Sequence, residues 1–110
     1  MNSLTQYATP GEQRLAKKLV QAALNDGYTV SVSDGGEWTV RKSRDFQEII
    51  DALATTGIDN LRLRNQEGKV VSTIALIYGN DSDGSELIAD FTTNDEIERF
   101  MAKHRFWSAT

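Results

Sequence analysis

The chain has 110 residues, 39% hydrophobic and 25% charged, with a formal net charge of −4 and no cysteine. This length and composition predict one globular domain with a single core, and they make disorder a poor reading. The missing cysteines remove disulfides, thiolate nucleophiles and cysteine-based zinc sites, and no stretch approaches the roughly 18 apolar residues of a membrane helix.

The opening MNSLTQYATP has no basic n-region and no apolar h-region, so no signal peptide is expected and a cytoplasmic setting is the expectation. Charge is unevenly spread. Residues 1–69 carry nine basic and nine acidic side chains, and residues 70–98 carry seven acids and no base. Arg99, Lys103 and Arg105 then follow. One end of the fold should be acidic, whereas a general nucleic-acid binder shows the opposite balance.

Met1 to Ala8 are polar and are expected to fray. Thr9-Pro10-Gly11-Glu12 is a helix start. Thr9 caps, Pro10 suits the first helical position, and Glu12 closes a capping box three residues on. Leu15, Leu19, Ala22 and Ala23 form an apolar stripe at helical spacing, and Gly27 is the expected stop. Tyr28–Ser33 alternates strictly, with Tyr28, Val30 and Val32 on one side. Asp34-Gly35-Gly36 is a hairpin turn, and Glu37–Arg41 returns with Trp38 and Val40 inward.

Ser43 is a plausible cap for a second helix, whose stripe is Phe46, Ile49, Ile50, Leu53 and Ala54 and whose end is Gly57. Asp59–Arg64 reads as a half-buried strand, with Leu61 and Leu63 in and Arg62 and Arg64 out. Asn65–Gly68 turns into Val70–Tyr78, VVSTIALIY, the longest apolar run. Its β-branched residues and its apolar side chains on both faces predict an interior strand. A polar loop, Gly79–Ser85, leads to a last strand, Glu86–Phe91. Thr93 and Glu96 then repeat the capping-box pattern ahead of a helix carrying Ile97, Phe100, Met101 and His104.

The predicted order is αββαβββα. Hairpins and a meander favour a two-layer α+β domain, a five-stranded antiparallel sheet with helices on one face. Strand parity then puts Thr29, Ser31, Thr39, Arg41, Arg62 and Arg64 on the other face, around Val71, Ala75, Ile77 and Ile88. An apolar centre with a polar rim is how partner surfaces are built.

Other candidate sites are weaker. Asn80–Glu86 has the acids of a calcium loop, but alignment on Gly84 puts Gly79 where the first acidic ligand belongs and Asp90, in a predicted strand, at position twelve. A solvated loop is the better reading. His104, the single histidine, has no orienting acid or nucleophile nearby in sequence. Asp34-Gly35-Gly36 joins two strands, whereas phosphate cradles lead from a strand into a helix. Arg41, Lys42, Arg44, Arg62 and Arg64 are the clustered bases. They are read as a solvated rim, because no aromatic is predicted beside them to stack nucleotide bases. Phe106 and Trp107 either fold back on the domain or await another chain.

The segments GEWTVRKS, IYGN and ELIADFT together resemble a group of short uncharacterised proteins of phage and prophage genomes, over roughly residues 28–98. The resemblance implies an accessory protein that binds a host protein. It implies no activity, cofactor or catalytic residue.

The expected function is therefore a non-enzymatic binding protein that self-associates as a homodimer or binds a host protein through the open face. Arg41, Arg62, Arg64, Val71, Ala75, Ile77 and Ile88 are the candidate partner-binding residues. No cofactor, metal, membrane or small-molecule substrate is called for. The alternatives are a nucleic-acid-binding regulator using the arginine rim and a small enzyme restricted to carboxylate or Ser/Lys chemistry.

Overall fold

The computed structural model describes residues 3–79 and 87–106. The elements are α1 (Ser3–Tyr7), α2 (Pro10–Asn25), β1 (Thr29–Ser33), β2 (Trp38–Ser43), α3 (Phe46–Ala52), β3 (Ile58–Arg64), β4 (Val70–Ile77), β5 (Ile88–Phe91) and α4 (Asp95–Lys103). The five strands form one antiparallel sheet in the order β2-β1-β3-β4-β5. The α+β architecture matches the sequence reading. One short helix, α1, is added where fraying was expected, because Leu4 (0% exposed) and Ala8 (7%) dock into the core. Among the described residues no helix is long and apolar enough to cross a membrane.

The capping box at α2 forms as read. Thr9 accepts from the Glu12 amide at 3.2 Å, and the Glu12 carboxylate accepts from the Thr9 amide at 3.0 Å. The other two caps shift. Asp45, rather than Ser43, caps α3 through the amides of Gln47 and Glu48, while Ser43 accepts from the Asp45 amide. Asn94, rather than Thr93, caps α4 through the Ile97 amide. The move from Thr93 to Asn94 follows cap preference, whereas Ser43 and Asp45 rank together as caps. Helix α3 also ends early, at Ala52, and Ala54 takes a left-handed conformation with φ 61°.

The core lies between the helices and one face of the sheet. That face carries Val30 and Val32 of β1, Leu61 and Leu63 of β3, and Ile74 and Leu76 of β4. Leu19 and Ala23 of α2, Ile49 and Ile50 of α3, and Ile97, Phe100 and Met101 of α4 close over it. β4 is an interior strand, as VVSTIALIY predicts, flanked by β3 and β5, although β3 holds the middle of the sheet.

Register shifts interrupt the ladder in four places and decide which side chains reach the outer face. Between β1 and β2 the pairs are Val30 with Ser43, Val32 with Val40 and Ser33 with Trp38, so β2 is irregular on both sides of Val40. Between β3 and β4 the shift lies between Leu63 and Arg64, and between β4 and β5 it lies between Ala75 and Leu76. A bulge puts an extra residue into one strand and reverses the parity beyond it.

Candidate functional site

The outer face of the sheet is the strongest candidate. α1 packs against α2 and α3, and all three helices share the core on the opposite side, so no described helix covers this face. Leu61 and Leu63 point into the core, and Arg62 and Arg64 alternate with them and point out. Residues i and i+2 of a strand share a face about 6.6 Å apart. Ile58 and Asn60 therefore continue the same row along β3.

Seven residues were predicted to form a partner surface, and the bulges divide them. Arg41, Arg62 and Arg64 come together, lining one recess with Ser31, Trp38 and Lys42. Ala75 and Ile77 also lie on the outer face, paired with Asn60 and Ile58. Val71 does not. The bulge beside Arg64 gives it to the core, where it is 5% exposed, and Val70 takes the outer position instead. Ile88 does not either. Its partner is the inward Leu76, Ala89 is the extra residue, and Ile88 packs on the core. The apolar centre is thus reduced to Ile58, Ala75 and Ile77.

Trp38 makes the opposite move. Parity puts it in the core with Val40, but the irregularity between them turns it outward against Ser33. Its ring lies under the Arg62 guanidinium, 4.3 Å from the ring centroid. A cation over an indole face is worth roughly 0.5–2 kcal/mol, depending on how dry the site is. The pair forms one plate that lines the recess.

The irregularity on the other side of Val40 has a signal in the sequence. Strict alternation from Val40 would turn Lys42 inward, and a lone lysine in the core is too costly to keep. The chain avoids it by breaking the alternation: Lys42 adopts φ 49°, and its amide donates to Ser31 Oγ at 2.9 Å.

The recess measures about 120 Å³. Arg64 donates through Nη1 to the Gly68 carbonyl at 3.1 Å. The Nε atoms of Arg62 and Arg64 are buried without a hydrogen-bond partner. No carboxylate forms a salt bridge with any of the four cations among the described residues. Arg44, counted with them in the sequence, is elsewhere. It donates to the Tyr28 and Leu24 carbonyls, both at 3.2 Å, and ties the end of α2 to β1.

The remaining polar clusters hold structure. Asp26 Oδ2 lies 3.0 Å from His104 Nε2 and Asp26 Oδ1 lies 3.1 Å from Lys103 Nζ. This acid comes from far away in the chain and could not be found by local spacing. It orients the imidazole, but no hydroxyl bonds the ring among the described residues, so a triad is not assembled. Burial pushes the Asp26 carboxyl up, the His104 and Lys103 contacts pull it down, and the balance lies below its usual value.

Asp59 is fully buried and accepts at Oδ2 from the Ala54 amide at 2.7 Å and from the Tyr78 hydroxyl at 2.8 Å. Its Oδ1 has no partner. Burial pushes its carboxyl up, the two hydrogen bonds oppose this, and the Asp34 charge adds to the rise. A cavity of about 280 Å³ beside it is lined by Tyr7, Ala54, Thr55, Thr56, Gly57 and Tyr78, and the Asp59 carboxyl is not part of that lining. Glu12 accepts from the Gly79 amide at 2.9 and 3.0 Å. No metal-holding group of acids and histidine forms among the described residues. The 80–86 loop and Trp107 lie outside those residues.

Compared with family models, with curated proteins and with solved structures, the chain matches none. The site's own chemistry carries the functional argument.

Proposed function

We propose that this protein is a non-enzymatic binding module that works by protein–protein contact through the outer sheet face, either with a second copy or with another protein. The observation that carries this reading is the outer face, which no described helix covers. It holds the Arg62–Trp38 plate, the Arg41, Lys42 and Arg64 cations, and the Ile58–Ile77 pair, with Ile58 47% exposed. Tryptophan and arginine dominate the binding energy of protein interfaces, and they work beside apolar contacts that exclude water. The buried carboxyls of Glu12 and Asp59 are engaged in holding backbone and Tyr78, which supports a binding role over carboxylate catalysis.

The test is mass in solution by light scattering, together with recovery of a bound protein at defined stoichiometry. The complex should be lost in Ile77→Asp and in Arg62→Glu, and kept in Glu98→Lys on α4. A wild type that stays monomeric at high concentration and retains no partner overturns the reading.

Nucleic-acid binding is the second reading, and the observation favouring it is Trp38 on the same face as four cations. A filter-binding titration at low salt decides it, because phosphate contacts are strongest there.

A further inference from the structure

We infer that the outer face takes an acidic protein segment, with a partner carboxylate seated at the Arg62–Trp38 recess and a partner apolar side chain on Ile58 and Ile77. The inference rests on the face being a protein-binding surface, and it adds what the partner must carry.

Charge is the first argument. Four cations line or edge one small recess and no described carboxylate pairs with them. The guanidinium of Arg62 rests against the indole, 4.3 Å from its centroid, which restrains it before a ligand arrives. A planar, immobilised guanidinium pairs with carboxylate through two parallel hydrogen bonds and loses little further freedom on binding. Its end-on mode uses the two Nη atoms, which suits Arg62, whose Nε is buried and closed to a ligand.

Size and stacking favour carboxylate over nucleic acid. The recess of about 120 Å³ is of a size for a small anionic group. One face of the Trp38 ring is already engaged by Arg62, so it is not free to stack a base as in single-strand binders. The whole chain is also negative, at −4, which works against a long polyanion approaching from a distance. Asp90, facing outward beside Ala75, would meet a strand that crossed the sheet. A short acidic segment needs only the recess.

Spacing gives the partner's pattern. Arg62 and Ile58 are four residues apart on one strand and one face, about 13 Å at the rise of a β-strand. An extended partner running along β3 would match them with a glutamate or aspartate and a leucine-like residue four positions apart.

The experiment uses the full chain labelled with nitrogen-15. A synthetic peptide carrying two glutamates, with leucine four residues beyond, is titrated at low salt. The same peptide with glutamine for glutamate and an oligo-dT of matching length are the comparison arms. The reporter is the Trp38 indole N–H, assigned by its loss in Trp38→Phe. The acidic peptide should shift this signal, and the glutamine peptide should bind about tenfold or more weakly, the loss expected when a charge-assisted pair is removed. Arg41→Glu on the edge strand should weaken binding similarly, and it avoids the packing role of Arg62. Equal binding of the two peptides overturns the acidic-segment inference. So does tighter binding of oligo-dT. A natural partner lost in Ile77→Asp but indifferent to Arg41→Glu would overturn it too, while leaving the protein-binding reading in place.

Discussion

Asp59 shows how one buried group sets a pH dependence. Its carboxyl is buried, one oxygen has no partner, and its native pKa lies above the usual aspartate value. A group with a raised native pKa contributes most below the unfolded pKa, and that contribution is lost as pH rises through the native value. Stability should therefore fall with rising pH above the ordinary carboxylate range, by at most about 1.4 kcal/mol per pH unit for one proton. Asp26 works in the opposite direction and in a different window. Its native pKa is lowered, so its contribution is present above the unfolded value and is lost as pH falls through the native one. Urea unfolding across pH separates the two. Asp59→Asn mimics the protonated acid and should flatten the loss above the carboxylate range while leaving the acid-side loss unchanged. An unaltered profile in Asp59→Asn would mean that this carboxyl stays ionised when buried. Tyr78→Phe removes one of the two donors to Oδ2, and should destabilise by about 1–3 kcal/mol as a lost partner of a buried polar group.

At the scale of elements, local chemistry explains where helices start and where strands run, and it explains less of which way strand residues point. Thr9 and Glu12 are legible as a capping box because both partners lie within four residues of each other. Glu12 also reaches across the molecule to the Gly79 amide at the end of β4, and no local pattern reports that bond. The two residues should therefore differ on substitution. Thr9→Ala should cost about 1 kcal/mol, the usual value of a cap. Glu12→Ala removes the acceptor of the half-buried Thr9 amide and of the exposed Gly79 amide together with a fully buried side chain, and should cost more than the cap alone, about 2 kcal/mol. Midpoints of urea unfolding measure both, and equal losses would show that the contact with Gly79 contributes nothing. Strand direction was legible where alternation holds, as in Leu61-Arg62-Leu63-Arg64. It failed at Trp38, Val71 and Ile88, each next to a bulge, because one inserted residue reverses every parity beyond it. Three members of the candidate site were thus misplaced or missed for one physical reason. The arginines were placed correctly because buried leucines on either side leave them no inward position.

For the whole molecule, the decisive property is that the described helices pack on one face of the sheet and none of them covers the other. Leu76 and Ile77 are chain neighbours on β4 with opposite fates, the first fully buried and the second on the outer face opposite Ile58. A charge placed at Leu76 has no water and no partner, so Leu76→Asp should exceed the 4 kcal/mol or so that marks exceptional core damage and leave little folded protein. Ile77→Asp meets solvent and should cost about 1 kcal/mol or less, mostly through lost cross-strand contact with Ile58. Far-ultraviolet circular dichroism and urea unfolding of the two variants read the difference directly. If Ile77→Asp unfolds the protein as readily as Leu76→Asp, the outer face is packed within a single chain and cannot serve a partner. If it stays folded, Ile77 stands on a face that tolerates a charge, as the proposed contact through Arg62, Trp38 and Ile58 requires.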